Sequence, residues 1–227
     1  MVDQVIDTNV VTLIGKVITE KEFSHEMYGE RFYTFDLEVP RLSDYSDVLP
    51  ITISERLFVN TDINEGDDVV IEGQLRSYNR YVDGNNKLLL TIFARDLYIP
   101  HTEDELLELK KKPNEIYIDG YVCKPAIYRT TPFGREITDL LVAVNRPYNK
   151  SDYIPCIAWG RNARFCSKLN VGDHIKIWGR IQSREYQKRL SDGSVLSKVA
   201  YEVSISKLEY FENENNREDS EDEEDIE

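Results

Sequence analysis

The sequence lacks the features of several common classes of protein. No apolar run approaches the ~20 residues that cross a bilayer, so a transmembrane protein is excluded. The first residues, Met1 to Gln4, lack the basic region of a secretory signal, and we expect none. Only three cysteines occur, Cys123, Cys156 and Cys166, and they form no C-x-x-C pair. This usage predicts reduced thiols in a cytoplasmic protein without a membrane partner.

Patterns for catalysis and metal binding are also missing. There is no Walker loop, no G-x-S-x-G and no H-E-x-x-H. The histidines His25, His101 and His174 are scattered and lie near no paired cysteine. We therefore expect a protein that is not an enzyme and that needs no metal and no cofactor.

The charge, in contrast, is abundant and unevenly placed. The 227 residues carry a net charge of −14. Residues 1–112 contribute −10, residues 113–211 contribute +5 and residues 212–227 contribute −9. Because affinity for nucleic acid depends on local lysine and arginine, the basic segment is a candidate partner for phosphates. The acidic tail, residues 212–227, is predicted to be disordered. It either serves solubility or acts as a partner-binding or self-inhibiting anionic peptide.

The chain repeats itself. Residues 66–77 and 172–183 both read G-D-x-apolar-x-apolar-x-G-x-apolar-x-S, at an offset of 106. Upstream matches, including Gly15 with Gly120, keep an offset of 105. This register predicts two copies of one domain, residues 1–101 and residues 114–211. Between them, residues 102–113 predict a linker helix, because Thr102 and Glu105 have capping-box spacing and Pro113 ends the segment.

Each copy is rich in short β-branched runs separated by turn signals such as Asp83-Gly84 and Asp192-Gly193. Five strands in ~100 residues are typical of an OB-type barrel. The predicted fold is all-β, with two tandem OB-fold five-stranded barrels, a short linker helix and a disordered acidic tail.

The second copy has a strip suited to single-stranded nucleic acid. Period-two alternation places Ile175, Ile177 and Ile181 on the core face. The opposite face carries interleaved cations and aromatics, which are Lys176, Trp178, Arg180, Gln182, Arg184, Tyr186 and Lys188. Cations can follow phosphates, and each ring can stack a base for about 1–3 kcal/mol. For Trp178, packing at a barrel end or interface is an equal alternative, since a bulge near Gly179 could break the alternation.

A neighbouring run agrees with this interpretation. Tyr153 and Trp159 share one face of a predicted strand, and Arg161 follows directly. The matching strip of the first copy has Glu72 and Gln74 where the second has Trp178 and Arg180. We therefore expect the first copy to bind a polyanion poorly.

At these residues the second copy resembles the OB domain of bacterial single-stranded DNA-binding proteins. The resemblance rests on A-V-N-R-P-Y at 143–148, A-W-G-R-N at 158–162, G-D-H-I-K-I-W-G-R at 172–180 and Y-E-V at 201–203. The segment 124–134 fits the first hairpin of the family. Together these pieces span nearly all of residues 114–211.

The resemblance implies which residues contact the strand. Four aromatic positions that stack bases in that family correspond here to Tyr148, Tyr153, Trp159 and Tyr186. With the strip, the candidate single-stranded DNA site comprises Tyr148, Tyr153, Trp159, Tyr186, Arg129, Arg146, Arg161, Lys176, Trp178, Arg180, Arg184 and Lys188. In the first copy the four aromatic positions hold Ser43, Val48, Ser54 and Arg80.

The resemblance also implies a role and an assembly. It implies protection of single-stranded DNA in replication, recombination or repair, with a nucleoid-associated location. It implies a homodimer that presents four OB domains. The tail lacks the terminal Pro-Phe with which the family recruits protein partners. Two alternatives stay open, an RNA-binding OB module and a protein-interaction module that acts through the first copy or the tail.

Overall fold

The structure is a computed structural model that describes residues 8–59, 61–82, 85–189 and 193–212. The side chains of residues 82, 85, 86, 188 and 189 are not among those described. Both Asp-Gly turns fall partly or wholly outside these ranges, and so does the acidic tail from residue 213 onward. The predicted disorder of that tail therefore stays a prediction.

The first barrel is a closed ring of five strands. Strand β1 pairs with β3 and β5, β3 pairs with β4, β4 pairs in parallel with β6, and β6 pairs with β5. Strand β2 extends this ring by pairing with β3 in a hairpin. The strands are β1 (Asn9–Val17), β2 (Glu22–Met27), β3 (Glu30–Pro40), β4 (Ser46–Ser54), β5 (Asp68–Val82) and β6 (Asn85–Tyr98).

The second barrel repeats this ring strand for strand. Strand β7 pairs with β9 and β11, β9 pairs with β10, β10 pairs in parallel with β12, and β12 pairs with β11. The prediction of two five-stranded barrels is confirmed, with β2 and β8 added as hairpin strands. The strands are β7 (Asn114–Val122), β8 (Ile127–Thr130), β9 (Glu136–Arg146), β10 (Lys150–Trp159), β11 (His174–Arg189) and β12 (Val195–Phe211).

Short helices complete the chain. Helix α1 (Glu103–Leu109) links the barrels, and the Thr102 hydroxyl accepts a hydrogen bond from the Glu105 backbone N–H at 3.1 Å, as a capping residue does. Helix α2 (Arg161–Cys166) follows β10, and a 3-10 turn (Glu55–Phe58) follows β4. Within the described residues, no helix is long and apolar enough to span a membrane.

The alternation predicted for β11 holds in spite of a bulge. Ile175, Ile177 and Ile181 are all 0% exposed. The pairing of β11 with β12 shifts between Trp178 and Gly179, but the extra residue, Ser206, belongs to β12. A Cβ on Gly179 would lie 2.3 Å from the Ser204 carbonyl oxygen, so only glycine permits this close approach of the two strands. The outward face of β11 is therefore the one that the sequence predicts.

The two barrels form one continuous sheet through antiparallel pairing of β1 with β7. The register runs from Asn9 opposite Ile118 to Leu13 opposite Asn114. At its centre Val11 pairs with Ile116, and these two residues are equivalent at the repeat offset of 105. A residue that pairs with its own counterpart defines a local two-fold axis, so the barrels are related as two subunits of a symmetric dimer would be.

Candidate nucleic-acid interface

A buried carboxylate of the first barrel is neutralised by arginines from both barrels. The Asp47 side chain is 0% exposed and accepts hydrogen bonds from Arg41 Nε at 2.8 Å and Nη2 at 2.6 Å. From the second barrel it accepts Arg180 Nη1 at 3.3 Å and the Ser183 backbone N–H at 2.7 Å. The hydrogen bonds that Arg41 donates to Asp47 raise the pKa of Arg41, while burial and the neighbouring Arg41 lower the pKa of Arg180. We name this group the Asp47 cluster.

The two-fold axis generates a matching group on the other side. The Asp152 side chain of the second barrel is also 0% exposed and lies 3.2 Å from Arg146 Nε. From the first barrel it accepts Arg76 Nη1 at 3.1 Å and the Ser77 backbone N–H at 2.7 Å. The Tyr153 backbone N–H donates to Ser77 Oγ at 2.7 Å. We name this group the Asp152 cluster.

These clusters show that the long strands cross between the barrels. Strand β11 pairs with β7 only as far as Gly179 opposite Ile116, and beyond this point it runs against β4 of the first barrel. Strand β5 makes the reciprocal crossing toward β10. The predicted strip along β11 is therefore divided into a part beside β7, with Lys176 and Trp178, and a part at the junction of the barrels, with Arg180 and Arg184.

Trp159 lies at this junction in a cationic groove. The groove has a volume of 480 Å³, and four arginines line it together with the half-exposed Trp159. None of its lining residues is acidic. We name it the Trp159 groove, and it is lined by Arg41, Arg135, Trp159, Arg180, Gln182, Ser183, Arg184 and Ser204. It combines the two groups that single strands need, a ring for a base and cations for phosphates.

The four arginines are not equally available to a ligand. Arg41 and Arg180 are held by Asp47, and Arg184 Nε lies 3.4 Å from Glu202 Oε1. Arg135 is exposed and, among the residues described, makes no ion pair. Within the described part of the chain, Arg135 is therefore the groove arginine that no carboxylate restrains.

The corresponding positions of the first barrel carry different chemistry. At an offset of 105, Arg135 corresponds to Glu30 and Trp159 corresponds to Ser54. The Ser54 hydroxyl donates to Glu30, and Arg56 Nη2 lies 3.2 Å from the same carboxylate. One charge is reversed and the ring is lost, so these positions of the first barrel do not combine an aromatic ring with a free arginine.

The remaining predicted aromatics lie on exposed surface. Tyr148 is 94% exposed at a backbone φ of +64° in the turn between β9 and β10, and Tyr153 follows on β10. Tyr186 lies on the crossing part of β11, with Arg184 Cζ 5.9 Å from its ring centroid. The Lys188 side chain is outside the described residues. The role of all these residues in DNA binding stays a prediction.

Three predicted cations lie elsewhere on the surface. Arg129 donates to Asp139 at 2.7 and 3.2 Å, and these bonds raise its pKa. Lys176 Nζ lies 3.8 Å from Asp119 and 4.6 Å from the centroid of Phe211. Arg161 is exposed as the first residue of α2.

Trp178 packs outside the groove. Its ring lies 5.1 Å from that of Tyr117 and 4.3 Å from Lys207 Nζ. This arrangement is the packing alternative that the sequence left open for Trp178. Direct contact of this ring with a strand bound at Trp159 would require the strand to continue onto the face of β7.

Sequence reasoning missed two of the four arginines of the groove. Arg135 could have been found, because the repeat alignment opposes it to Glu30 and so marks a reversed charge. Arg41 gave no such signal, because it belongs to the acidic first copy and reaches the groove only through the crossing of the barrels.

Two of the three thiols are buried and have raised pKa values. Burial raises the pKa of the Cys166 thiol to about 11, and it raises that of the fully buried Cys156 further. Both thiols are therefore protonated at neutral pH. Within the part of the chain that the structure describes, no three His, Cys, Asp or Glu side chains are grouped as a metal site would require.

The match to a known protein family falls on the second barrel. Residues 113–211 match the Single-strand binding protein family. Single-stranded DNA-binding protein 1 of Staphylococcus aureus is 31% identical over 83 residues, which are 34% of this chain and 50% of the relative. Single-stranded DNA-binding protein 2 of Listeria innocua is 29% identical over 112 residues, which are 46% of this chain and 68% of the relative. The chain spans about half the length of the first of these relatives.

Solved structures match both barrels together. The wild-type single-stranded DNA binding protein from Thermus aquaticus covers 90% of this chain, which in turn covers 93% of that structure, with 19% identity and a TM-score of 0.70. At that identity the match shows the tandem fold alone. The dimeric structure of the N-terminal domain of PriB protein from Thermoanaerobacter tencongensis is 57% identical over 42% of this chain, with a TM-score of 0.38.

The family match covers the barrel that carries the Trp159 groove, and the fold match covers the whole tandem arrangement. The resemblance read from the sequence is confirmed. The second barrel therefore matches the single-strand binding protein family over residues 113–211, and the whole chain shares the tandem fold of a single-stranded DNA binding protein of known structure.

Proposed function

We propose that this protein binds single-stranded DNA, with little sequence preference, through its second barrel. The observation that carries the proposal is the Trp159 groove, where a half-exposed indole of the domain that matches the family lies among three arginines of the same domain and Arg41 of the first barrel. Stacking on a ring tolerates any base, because every base has a π-face. The protein would protect exposed single strands during replication, recombination or repair.

The residues of the groove have different proposed roles. Trp159 stacks a base, while Arg135 and Arg184 neutralise phosphates on either side. Tyr148, Tyr153 and Tyr186 extend the stacking surface along the strand. Arg41 and Arg180 act differently, because Asp47 fixes their guanidinium groups in place. They are positioning residues that keep the floor of the groove cationic.

Tryptophan fluorescence distinguishes the two indoles. In a Trp178→Phe variant, oligo-dT should quench the remaining emission from Trp159 strongly, because a stacked base contacts that ring. In a Trp159→Phe variant, the emission from Trp178 should change little, because that ring packs between Tyr117 and Lys207. The measurement is a fluorescence titration of each variant, repeated at several salt concentrations.

Duplex DNA of matched length is the control, and it should leave the Trp159 signal unchanged. Affinity for oligo-dT should fall as salt rises, since phosphate neutralisation releases counterions. Equal quenching of both single-tryptophan variants, or none in either, would contradict the assignment of stacking to Trp159.

RNA is the second candidate ligand, since the same rings can stack either polymer. Discrimination would depend on contacts to the 2′-hydroxyl. Titration with oligo-U beside oligo-dT at equal salt decides between them. Tighter binding of oligo-U than of oligo-dT would indicate that RNA is the ligand.

We also propose that the chain forms a homodimer that presents four barrels. The outer face of β7, β11 and β12 offers a surface for this, because rings are exposed there among the residues that the structure describes. Tyr121 is 40% and Phe211 38% exposed, and both stack near His174. Changing Tyr121 and Phe211 to glutamate should convert a dimer to a monomer, as measured by light scattering. A wild-type monomer at micromolar concentration would contradict the proposal.

Protein partners of the first barrel and of the acidic tail remain predictions. The acidic tail lies outside the described residues from residue 213 onward. A protein partner for the first barrel or for the tail is a proposal that interaction measurements with those parts can test.

A further inference from the structure

A second and larger cavity lies between the barrels. It has a volume of 540 Å³. Its floor is the bulge region of β11 and β12, including Gly179. One wall is the loop after β3, with Arg41 and Leu42, and the other is the end of the linker, with Lys111 and Lys112. We name it the linker cavity. It is built from both barrels and from the segment that joins them.

The linker cavity adjoins the Trp159 groove, because Arg41, Arg180 and Ser204 line both of them. The two arginines thus lie where the cavities meet, with the buried Asp47 beneath them, and we name this place the passage. A chain that leaves Trp159 toward the first barrel passes directly over these guanidinium groups.

The whole path is cationic. Six basic side chains line the two cavities, namely Arg41, Lys111, Lys112, Arg135, Arg180 and Arg184, against two acids, Asp47 and Glu115. Asp47 is fully buried and shared by two arginines, so it presents no free charge to a ligand.

The two lysines are accessible to a phosphate. Lys111 Nζ lies 2.6 Å from Glu108 and Lys112 Nζ lies 3.5 Å from Glu115, but all four side chains are more than half exposed. Ion pairs of this kind contribute little and exchange readily. The phosphates of a nucleic-acid strand therefore compete effectively for both ammonium groups.

We propose that single-stranded DNA bound at Trp159 continues through the passage of Arg41 and Arg180 into the linker cavity, where Lys111 and Lys112 bind its phosphates. The inference rests on the proposed function of the second barrel and extends it. The first barrel then takes part in binding through its loop at Arg41 and Leu42, although its own strands lack a stacking ring. Leu42 is 86% exposed and offers an apolar surface for a base beside the passage.

The test compares short and long oligo-dT on a Lys111→Glu, Lys112→Glu variant of the full chain. One OB domain covers about 4–16 nucleotides, so an oligomer of about 6 reports the Trp159 groove and one of about 20 also reaches the linker cavity. With the long oligomer, the variant should bind at least tenfold more weakly than the wild type. The slope of log affinity against log salt should also decrease by about 1.4, which corresponds to two phosphate contacts on a single strand. With the short oligomer, both proteins should bind nearly equally.

The matched control is Lys124→Glu with Lys168→Glu, which changes the net charge equally at exposed lysines that line neither cavity. This control should lose little affinity at either length. If the linker variant behaves like the control at every length, or loses affinity equally for short and long oligomers, the path through the linker cavity is wrong. Failure of the wild type to bind oligo-dT of any length would instead overturn the proposed function itself.

Discussion

Replacing Arg135 by glutamate and Trp159 by serine should lower the affinity for oligo-dT by at least about 100-fold at low salt. These substitutions install the residues that the first barrel carries at the same positions, Glu30 and Ser54. Loss of one stacking ring costs about 1–3 kcal/mol, and the reversed charge also repels the nearest phosphate. Both positions lie on exposed or half-exposed surface, so the barrel should fold normally. The measurement is a direct binding titration, with circular dichroism to verify folding.

A control isolates the cause of that loss. Lys168→Glu with Trp178→Ser makes the same change in net charge and also replaces a tryptophan by serine, but outside the groove, and it should retain most of the affinity. Wild-type affinity in a folded Arg135→Glu, Trp159→Ser variant would show that the groove is not the binding site.

The Arg135 substitution is a better test than reversal of Arg180. Arg180 Nη1 lies 3.3 Å from the buried Asp47 carboxylate. A glutamate at Arg180 would bring two carboxylates together in a buried site, and it would disturb the contact between the barrels. A loss of binding there would report misfolding as much as loss of a phosphate contact.

The second large effect is expected on stability. Replacing Asp47 by alanine should lower the free energy of unfolding by about 1.5–3 kcal/mol, because it removes the charge-assisted hydrogen bonds that the partly exposed Arg41 and Arg180 donate to this buried carboxylate. The Ser183 backbone N–H loses its acceptor as well. Asp152→Ala should have a similar effect through the equivalent cluster. Urea unfolding followed by circular dichroism measures both.

Asp139→Ala is the matched control, because its carboxylate binds Arg129 at the surface, where both side chains are more than one third exposed. Exposed ion pairs contribute about 0–1 kcal/mol, so this variant should remain close to the wild type. If Asp47→Ala were no less stable than Asp139→Ala, the clusters would not hold the barrels together. A loss of DNA affinity in folded Asp47→Asn would further support the positioning role of Arg41 and Arg180.

Much of the fold could be read from local patterns. The repeated G-D-x-apolar motif marks the same strand in both barrels, β5 and β11, and the alternation of Ile175, Ile177 and Ile181 correctly identifies their core face. Such patterns are informative because the side-chain period of a strand depends only on the backbone of that strand. Arg135 was equally readable, since the alignment of the repeats opposes it to Glu30.

The candidate site was less predictable, because its cations come from both barrels. From the alternation alone, Arg180 and Arg184 were equivalent members of one strip. In the structure Arg180 neutralises Asp47, which lies 133 residues away, while Arg184 remains half exposed beside Glu202. No local pattern specifies which buried carboxylate an arginine will meet, since that depends on where β11 leaves its own barrel.

By itself, therefore, the sequence determined the duplicated all-β fold, the basic second barrel and the family resemblance of that barrel, because each is recorded in residues close together along the chain. Only the tertiary structure decided how the barrels meet. The pairing of β1 with β7 around Val11 and Ile116 sets a two-fold axis, and that axis brings Arg41 of the acidic barrel into the groove of the basic one. Contacts between residues so distant in sequence form only when two complete barrels pack together. The folded chain therefore decides which arginines a carboxylate holds and which remain accessible to a ligand.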